Sequence, residues 1–146
     1  IKVHDMILIA HRGNIKGVDK RENMPEYITE ALNGEYDVEI DVWLTNQGYF
    51  LGHDKPQYAI PKNFLRQSGV WCHAKNSQAF KDMLQDPSIH CFWHENDDYT
   101  LTSQGKIWIF PDKEPLDGGI LVLREEQKIP NPNLGGICSD FVGEFR

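Results

Sequence analysis

Residues Asp37–Thr45 read Asp-Val-Glu-Ile-Asp-Val-Trp-Leu-Thr, so Val38, Ile40, Val42 and Leu44 alternate with Glu39, Asp41 and Trp43. A period of two marks a β-strand, because successive side chains point to opposite faces. Glu39 and Asp41 therefore share one face, and the aliphatic residues take the other. If the acidic face meets water, the pair needs no explanation, since exposed acids are ordinary. If it points into a closed space, the two carboxylates repel each other unless a positive charge compensates. A divalent cation with a preference for oxygen ligands, Mg²⁺ or Ca²⁺, is the usual solution.

The flanking segments favour the closed site. His11-Arg12-Gly13 ends the apolar run Met6–Ala10, and Gly52-His53-Asp54 follows a turn at Asn46-Gln47-Gly48 and a short return strand, Tyr49–Gly52. Two histidines can move protons near neutral pH. Arg12 can fork onto two phosphate oxygens. Gly13 lets backbone approach a ligand closely. Together with Glu39 and Asp41, these residues form a chemically complete set for phosphate-ester chemistry.

The rest of the chain alternates short apolar runs with compact connectors. Further strands are expected at Val70–Ala74, Cys91–His94, Lys106–Phe110, Ile120–Leu123 and Gly136–Ser139. Helices are expected at Met24–Asn33, after a cap at Asn23-Met24-Pro25, and at Asn76–Gln85, with a short one at Pro61–Gln67. Tyr99–Thr102 reads as a connector, Glu125-Glu126 as a solvated charge pair, and Trp93 and Trp108 as core. His94 reads either as a second lining residue of the same mouth or as an ordinary loop histidine. Strands separated by helical or compact connectors suggest an α/β fold with a largely parallel sheet of about seven core strands. No repeat or linker divides residues 1–146, so a single domain is expected.

Composition closes off several function classes. The chain has 146 residues and a net charge of −7, so it carries no basic footprint for a nucleic acid. No apolar run approaches the roughly 20 residues that span a bilayer. Ile1–Asp5 lacks a signal-peptide pattern. Cys72, Cys91 and Cys138 are odd in number and irregularly spaced, and they read as buried thiols of a reducing compartment. The expected location is cytoplasmic.

The motifs resemble the glycerophosphodiester phosphodiesterase family, whose leading pattern runs H-R-G, P-E-N-T, E-x-D-V-x-x-T-x-D-G and H-D. This chain has His11-Arg12-Gly13, Arg21-Glu22-Asn23-Met24, Glu39-Ile40-Asp41-Val42-Trp43-Leu44-Thr45-Asn46-Gln47-Gly48 and His53-Asp54, in the same order and at similar spacing. The resemblance covers roughly the first third of the chain. It implies a TIM-type barrel, trimmed here because such barrels usually take about 250 residues, with reduced or missing outer helices. It implies a phosphodiester hydrolase in which His11 and His53 are the acid/base pair and Arg12 clamps the phosphate. Glu39 and Asp41 would hold the metal, and the attacker is often a neighbouring hydroxyl of the substrate alcohol. The family's next motif, E-x-K, is matched by His73-Ala74-Lys75. Lys75 then lies near the phosphate, and His73 takes the place of the third, acidic metal ligand. Imidazole is a poorer partner than carboxylate for Mg²⁺ or Ca²⁺. A weaker hold, a different ion and no ion all remain open. Cys138-Ser139-Asp140 resembles the T-D motif that closes the family's last strand.

The leading expectation is thus a metal-assisted hydrolase of a small glycerophosphodiester-like substrate, with a weakly held divalent cation. The rivals are a binding module that keeps the pocket without efficient chemistry, and a structural protein with a relict site. Oligomeric state has no sequence signal.

Overall fold

The computed structural model describes residues 6–124 and 128–146. Ile1–Asp5 and the Glu125-Glu126 pair lie outside the described residues. Ten strands form: β1 (Ile7–His11), β2 (Asp37–Thr45), β3 (Gly48–Leu51), β4 (Tyr58–Ile60), β5 (Val70–Ala74), β6 (His90–Phe92), β7 (Tyr99–Leu101), β8 (Ile107–Ile109), β9 (Ile120–Leu123) and β10 (Gly136–Ser139). Helix α1 (Pro25–Asn33) links β1 to β2, and α2 (Ser77–Leu84) links β5 to β6.

All ten strands belong to one mixed sheet. Parallel ladders join β6, β5, β2, β1, β10, β9 and β8 in that order. Hairpin strands β3 and β4 extend antiparallel from β2, and β7 pairs antiparallel with β8. The long strand β2 serves two partners on one edge. Val38–Val42 pair with β5, and Val42–Thr45 pair with β3.

This architecture overturns the expected α/β barrel. The protein is mostly β, with antiparallel hairpins in the sheet and, among the described residues, only two α-helices, of nine and eight residues. Nor does any ladder join β6 to β8. The physical reason lies in the connectors. The stretch between β8 and β9 contains Pro111 and Pro115 and turns at Gly118, so it cannot hold a covering helix. Loop residues Leu116, Ile129 and Leu134, with Phe145 of a short 3-10 helix (Val142–Phe145), cover that side instead, against Ile109, Leu121 and Ile137. Tyr99–Leu101, expected as a connector, forms an edge strand, as does Tyr58–Ile60. Both are three-residue strands, too short for an alternation to declare itself.

The helices cover only the other half of the sheet. Ile28 and Ala31 of α1, with Ala79 and Met83 of α2, join the core formed by Val38, Ile40, Val42 and Cys72. Asn76 caps α2 by accepting from the Ala79 amide at 3.1 Å. α1 departs from expectation: Met24 is its cap residue, no side chain caps the helix, and Asn23 bonds to Asp41 instead. All three cysteines are buried and free. On the inner face, Ile9, Trp71, Phe92, Trp108, Ile120 and Cys138 form a separate cluster. There Phe92 of β6 stacks on Trp108 of β8 at 4.6 Å, so side-chain packing brings the two ends of the parallel run together without a ladder.

Phe92→Ala should therefore cost about 3–5 kcal/mol of stability. Leu101→Ala, at an exposed edge, should change it by no more than about 0.5 kcal/mol. Denaturant midpoints of the two variants check this, and equal losses would contradict the packing described.

Candidate active site

The inner face of β2 is not solvated. Glu39 and Asp41 are 3% and 1% exposed, and they face a cavity of about 790 Å³ at the carboxyl ends of the parallel strands. His11, Arg12, Glu39, Asp41, His53, His73 and Lys75 all line that cavity. Seven residues spread over 65 positions of sequence thus converge on one place. Register explains it. His11 pairs with Glu39 across β1–β2, and Asp41 pairs with His73 across β2–β5, so their side chains share the inner face.

His11 ends β1 and is clamped from behind. Its Nδ1 lies 2.8 Å from Asp140 Oδ1, and its Nε2 lies 3.8 Å from Glu39 Oε1. Burial favours the neutral ring, but the hydrogen bond to Asp140 and the charge of Glu39 outweigh it, and the His11 pKa is raised. Burial raises the Asp140 pKa, but the bond to His11, with Asn14 and Arg12, outweighs it and lowers that pKa.

Arg12 turns the chain out of β1 in the left-handed region, at φ 56°, and Gly13 follows at φ 93°. A Cβ on Gly13 would lie 2.8 Å from Tyr27 Cδ2, so that position demands glycine. The turn aims the guanidinium across the site. Nη1 donates to Glu22 at 3.3 Å, and Nη2 donates to His53 Nε2 at 3.3 Å. Nε lies 3.2 Å from Asp41 Oδ2 but off the axis of a hydrogen bond, so it is an ion-pair contact only. Because Arg12 can only donate, His53 Nε2 presents a lone pair at this contact. His53 Nδ1 then faces Asp41 Oδ2 at 3.5 Å.

His73 sits against both carboxylates. Its Nδ1 is 3.5 Å from Glu39 Oε2 and 3.3 Å from Asp41 Oδ1, and its ring stacks on Phe92. Nε2 donates to the His94 carbonyl at 2.7 Å. Burial lowers the His73 pKa, but the two carboxylates win and raise it to about 9. Asp41 stays ionised well below the usual carboxylate range despite burial, through His53, His73 and Arg12. One atom stays orphaned: Glu39 Oε1 is buried and has no hydrogen-bond partner. With a donor atom each from Glu39, Asp41 and His73 within 4.8 Å of one another, the set fits a metal ion.

Four supporting residues escaped the sequence reading. Asn23, at φ 65°, donates to Asp41 Oδ2 and accepts from the Asp41 amide, both at 3.0 Å. Asn14 donates to Glu22 and Asp140 and accepts from Tyr27. Glu22 anchors Arg12, and Asp140 anchors His11. Arg21–Met24 and Cys138–Asp140 were visible as motif segments, so a signal for Asn23, Glu22 and Asp140 existed. Asn14 had none. His94 lines the cavity beside His73, so it is more than a loop histidine. Trp108 is core, whereas Trp93 is only partly buried and donates to Glu95. Opposite the charged residues, the wall is apolar, with Trp108, Phe110, Pro111 and Val122.

The His11–Asp140 pair sets a pH dependence. A raised histidine pKa stabilises the fold fully below its unfolded value of 6.5, and that stability fades as pH rises through the folded value. A lowered Asp140 pKa stabilises above 3.8 and is lost as pH falls through its folded value. Asp140→Asn should therefore destabilise most between those limits and less above them. It should also lower the His11 midpoint in an NMR titration, and an unmoved midpoint would contradict the pairing.

Among the described residues, no helix is long and apolar enough to cross a membrane. No protein family, curated protein or solved structure matches the chain.

Proposed function

We propose that the cavity binds a phosphodiester and cleaves it with His11 and His53 as the proton-transfer pair. The observation that carries this reading is the convergence of both histidines, Arg12 and the carboxylate pair on one cavity. The motifs that resemble glycerophosphodiester phosphodiesterases add a substrate class, a small glycerophosphodiester-like molecule. The reading rests on the site, since fold alone carries no function.

Each residue has a task. Arg12 and Lys75 bind the phosphate oxygens as charge builds in the transition state. A divalent cation held by Glu39, Asp41 and His73 would supply Lewis-acid stabilisation of that charge. His53, whose Nε2 lone pair accepts from Arg12 in the free site and is released when Arg12 turns to the phosphate, takes the proton of the attacking hydroxyl as the new P–O bond forms. His11, whose pKa is raised by Asp140 and Glu39, gives its proton to the leaving oxygen as the old P–O bond breaks. Asn23 and Asp140 fix the acids and the ring that these steps depend on.

The test is an assay on glycerophosphodiesters and aryl phosphodiesters with Mg²⁺, Ca²⁺, Mn²⁺ or Zn²⁺. Turnover should fall about 10²–10⁴-fold in His11→Ala and in His53→Ala, with far-UV circular dichroism unchanged. Absence of turnover with every ion, or turnover indifferent to both substitutions, would overturn the reading. One observation favours a second reading, a phosphate-ester binding module: His73 Nδ1 already lies against both acids, 3.5 Å from Glu39 Oε2 and 3.3 Å from Asp41 Oδ1. Calorimetric binding of a phosphodiester without turnover would select it.

A further inference from the structure

We infer that His73 makes the Glu39–Asp41 site selective for a Zn²⁺-type ion over Mg²⁺ and Ca²⁺. The inference rests on the proposed role of the carboxylate pair as a cation site, and not on turnover.

The donor set carries the argument. Mg²⁺ and Ca²⁺ take oxygen ligands almost exclusively, whereas imidazole suits zinc and its first-row neighbours. Here the three converging donors are two carboxylate oxygens and one imidazole nitrogen. Three protein ligands with a further position left for water or substrate is the composition typical of catalytic zinc.

The orientation of His73 agrees. A ligating histidine usually donates its other ring N–H to a backbone carbonyl or carboxylate, which fixes ring and tautomer. His73 Nε2 does this to the His94 carbonyl at 2.7 Å, so Nδ1 is the atom aimed at the acids. The ring is further pinned by parallel stacking on Phe92 at 5.1 Å. Nδ1 lies 3.3 Å from Asp41 Oδ1 and 3.5 Å from Glu39 Oε2. Ligand atoms bonded at about 2.0–2.2 Å in tetrahedral array stand apart by about the same distance.

An independent observation points to a missing partner at this place. Glu39 is 3% exposed, yet its buried Oε1 has no hydrogen-bond partner. His11 Nε2 lies 3.8 Å from it, beyond hydrogen-bond distance. The other acid is better satisfied, since Asn23 donates to Asp41 Oδ2. The shortfall thus falls on a carboxylate oxygen at the cluster, where a cation would remove it.

Co²⁺, a coloured stand-in for Zn²⁺, tests this on the whole chain without any assay of turnover. Titration of the metal-free protein should give visible d–d absorption that saturates at one equivalent. Zn²⁺ should abolish it, and millimolar Mg²⁺ or Ca²⁺ should leave it. His73→Glu should weaken Co²⁺ at least tenfold and gain Mg²⁺ or Ca²⁺ binding by calorimetry. If that variant fails to fold, zinc-edge X-ray absorption of the wild type decides, by the presence or absence of imidazole scattering. Lack of a Co²⁺ band, displacement of Co²⁺ by Mg²⁺, or a zinc shell of oxygen alone would overturn the inference. A protein that binds zinc this way but cleaves no phosphodiester would sink the proposed function and leave this inference standing.

Discussion

Two carboxylates buried side by side on the central strand are the constraint around which the molecule is organised. Glu39 and Asp41 stand on β2, which pairs with β1, β3 and β5 at once. Removing an ionised acid from water costs several kcal/mol unless charge and hydrogen bonds compensate it. Compensation reaches them from three sides. Arg12 and His11 arrive from the end of β1, His73 from β5, and Asn23 from the loop before α1. Removing any one of these would leave a buried charge short of a partner, which is costlier than never burying it.

The scaffold and the site divide the sequence between them. The opposite face of β2 carries Val38, Ile40 and Val42, all fully buried under the two helices. The acidic residues are therefore held by a strand whose other face contributes hydrophobic stabilisation. Two of the four non-glycine residues with positive φ among the described residues sit at the site. Arg12 and Asn23, both non-glycine, have positive φ, and both direct a side chain at Asp41. Such conformations persist only where surrounding contacts enforce them. Here the bonds of Arg12 to Glu22 and His53 and of Asn23 to Asp41 supply that enforcement.

Much of the site was legible because it follows from period and order. The alternation in Asp37–Thr45 put Glu39 and Asp41 on one face, the strand ends placed His11 and His53 near them, and His73 came in only through the motif resemblance. Asn14 was not legible, because its role depends on a contact 126 positions away in sequence, with Asp140. Asn23 misled because asparagine before a helix usually caps it, whereas here tertiary contact with Asp41 prevails. The fold was read less well. Strands β1, β2, β5, β9 and β10 stood out as apolar runs, but the inference from them to a helix-covered barrel failed. Connectors rich in proline and glycine cannot form helices, and the outer face they leave is covered by loop side chains. Strands β3, β4 and β7 make the sheet mixed; β3 was legible as a return strand, but β4 and β7 had too few residues to show a pattern.

The central claim is that this cavity is a phosphodiester site. The most direct measurement is a crystal structure with tungstate, located by its anomalous scattering. The account predicts one tungstate in the cavity, within hydrogen-bond reach of Arg12 and between the rings of His11 and His53. Tungstate bound only elsewhere, or a cavity without it at concentrations that saturate phosphate sites, would contradict the account.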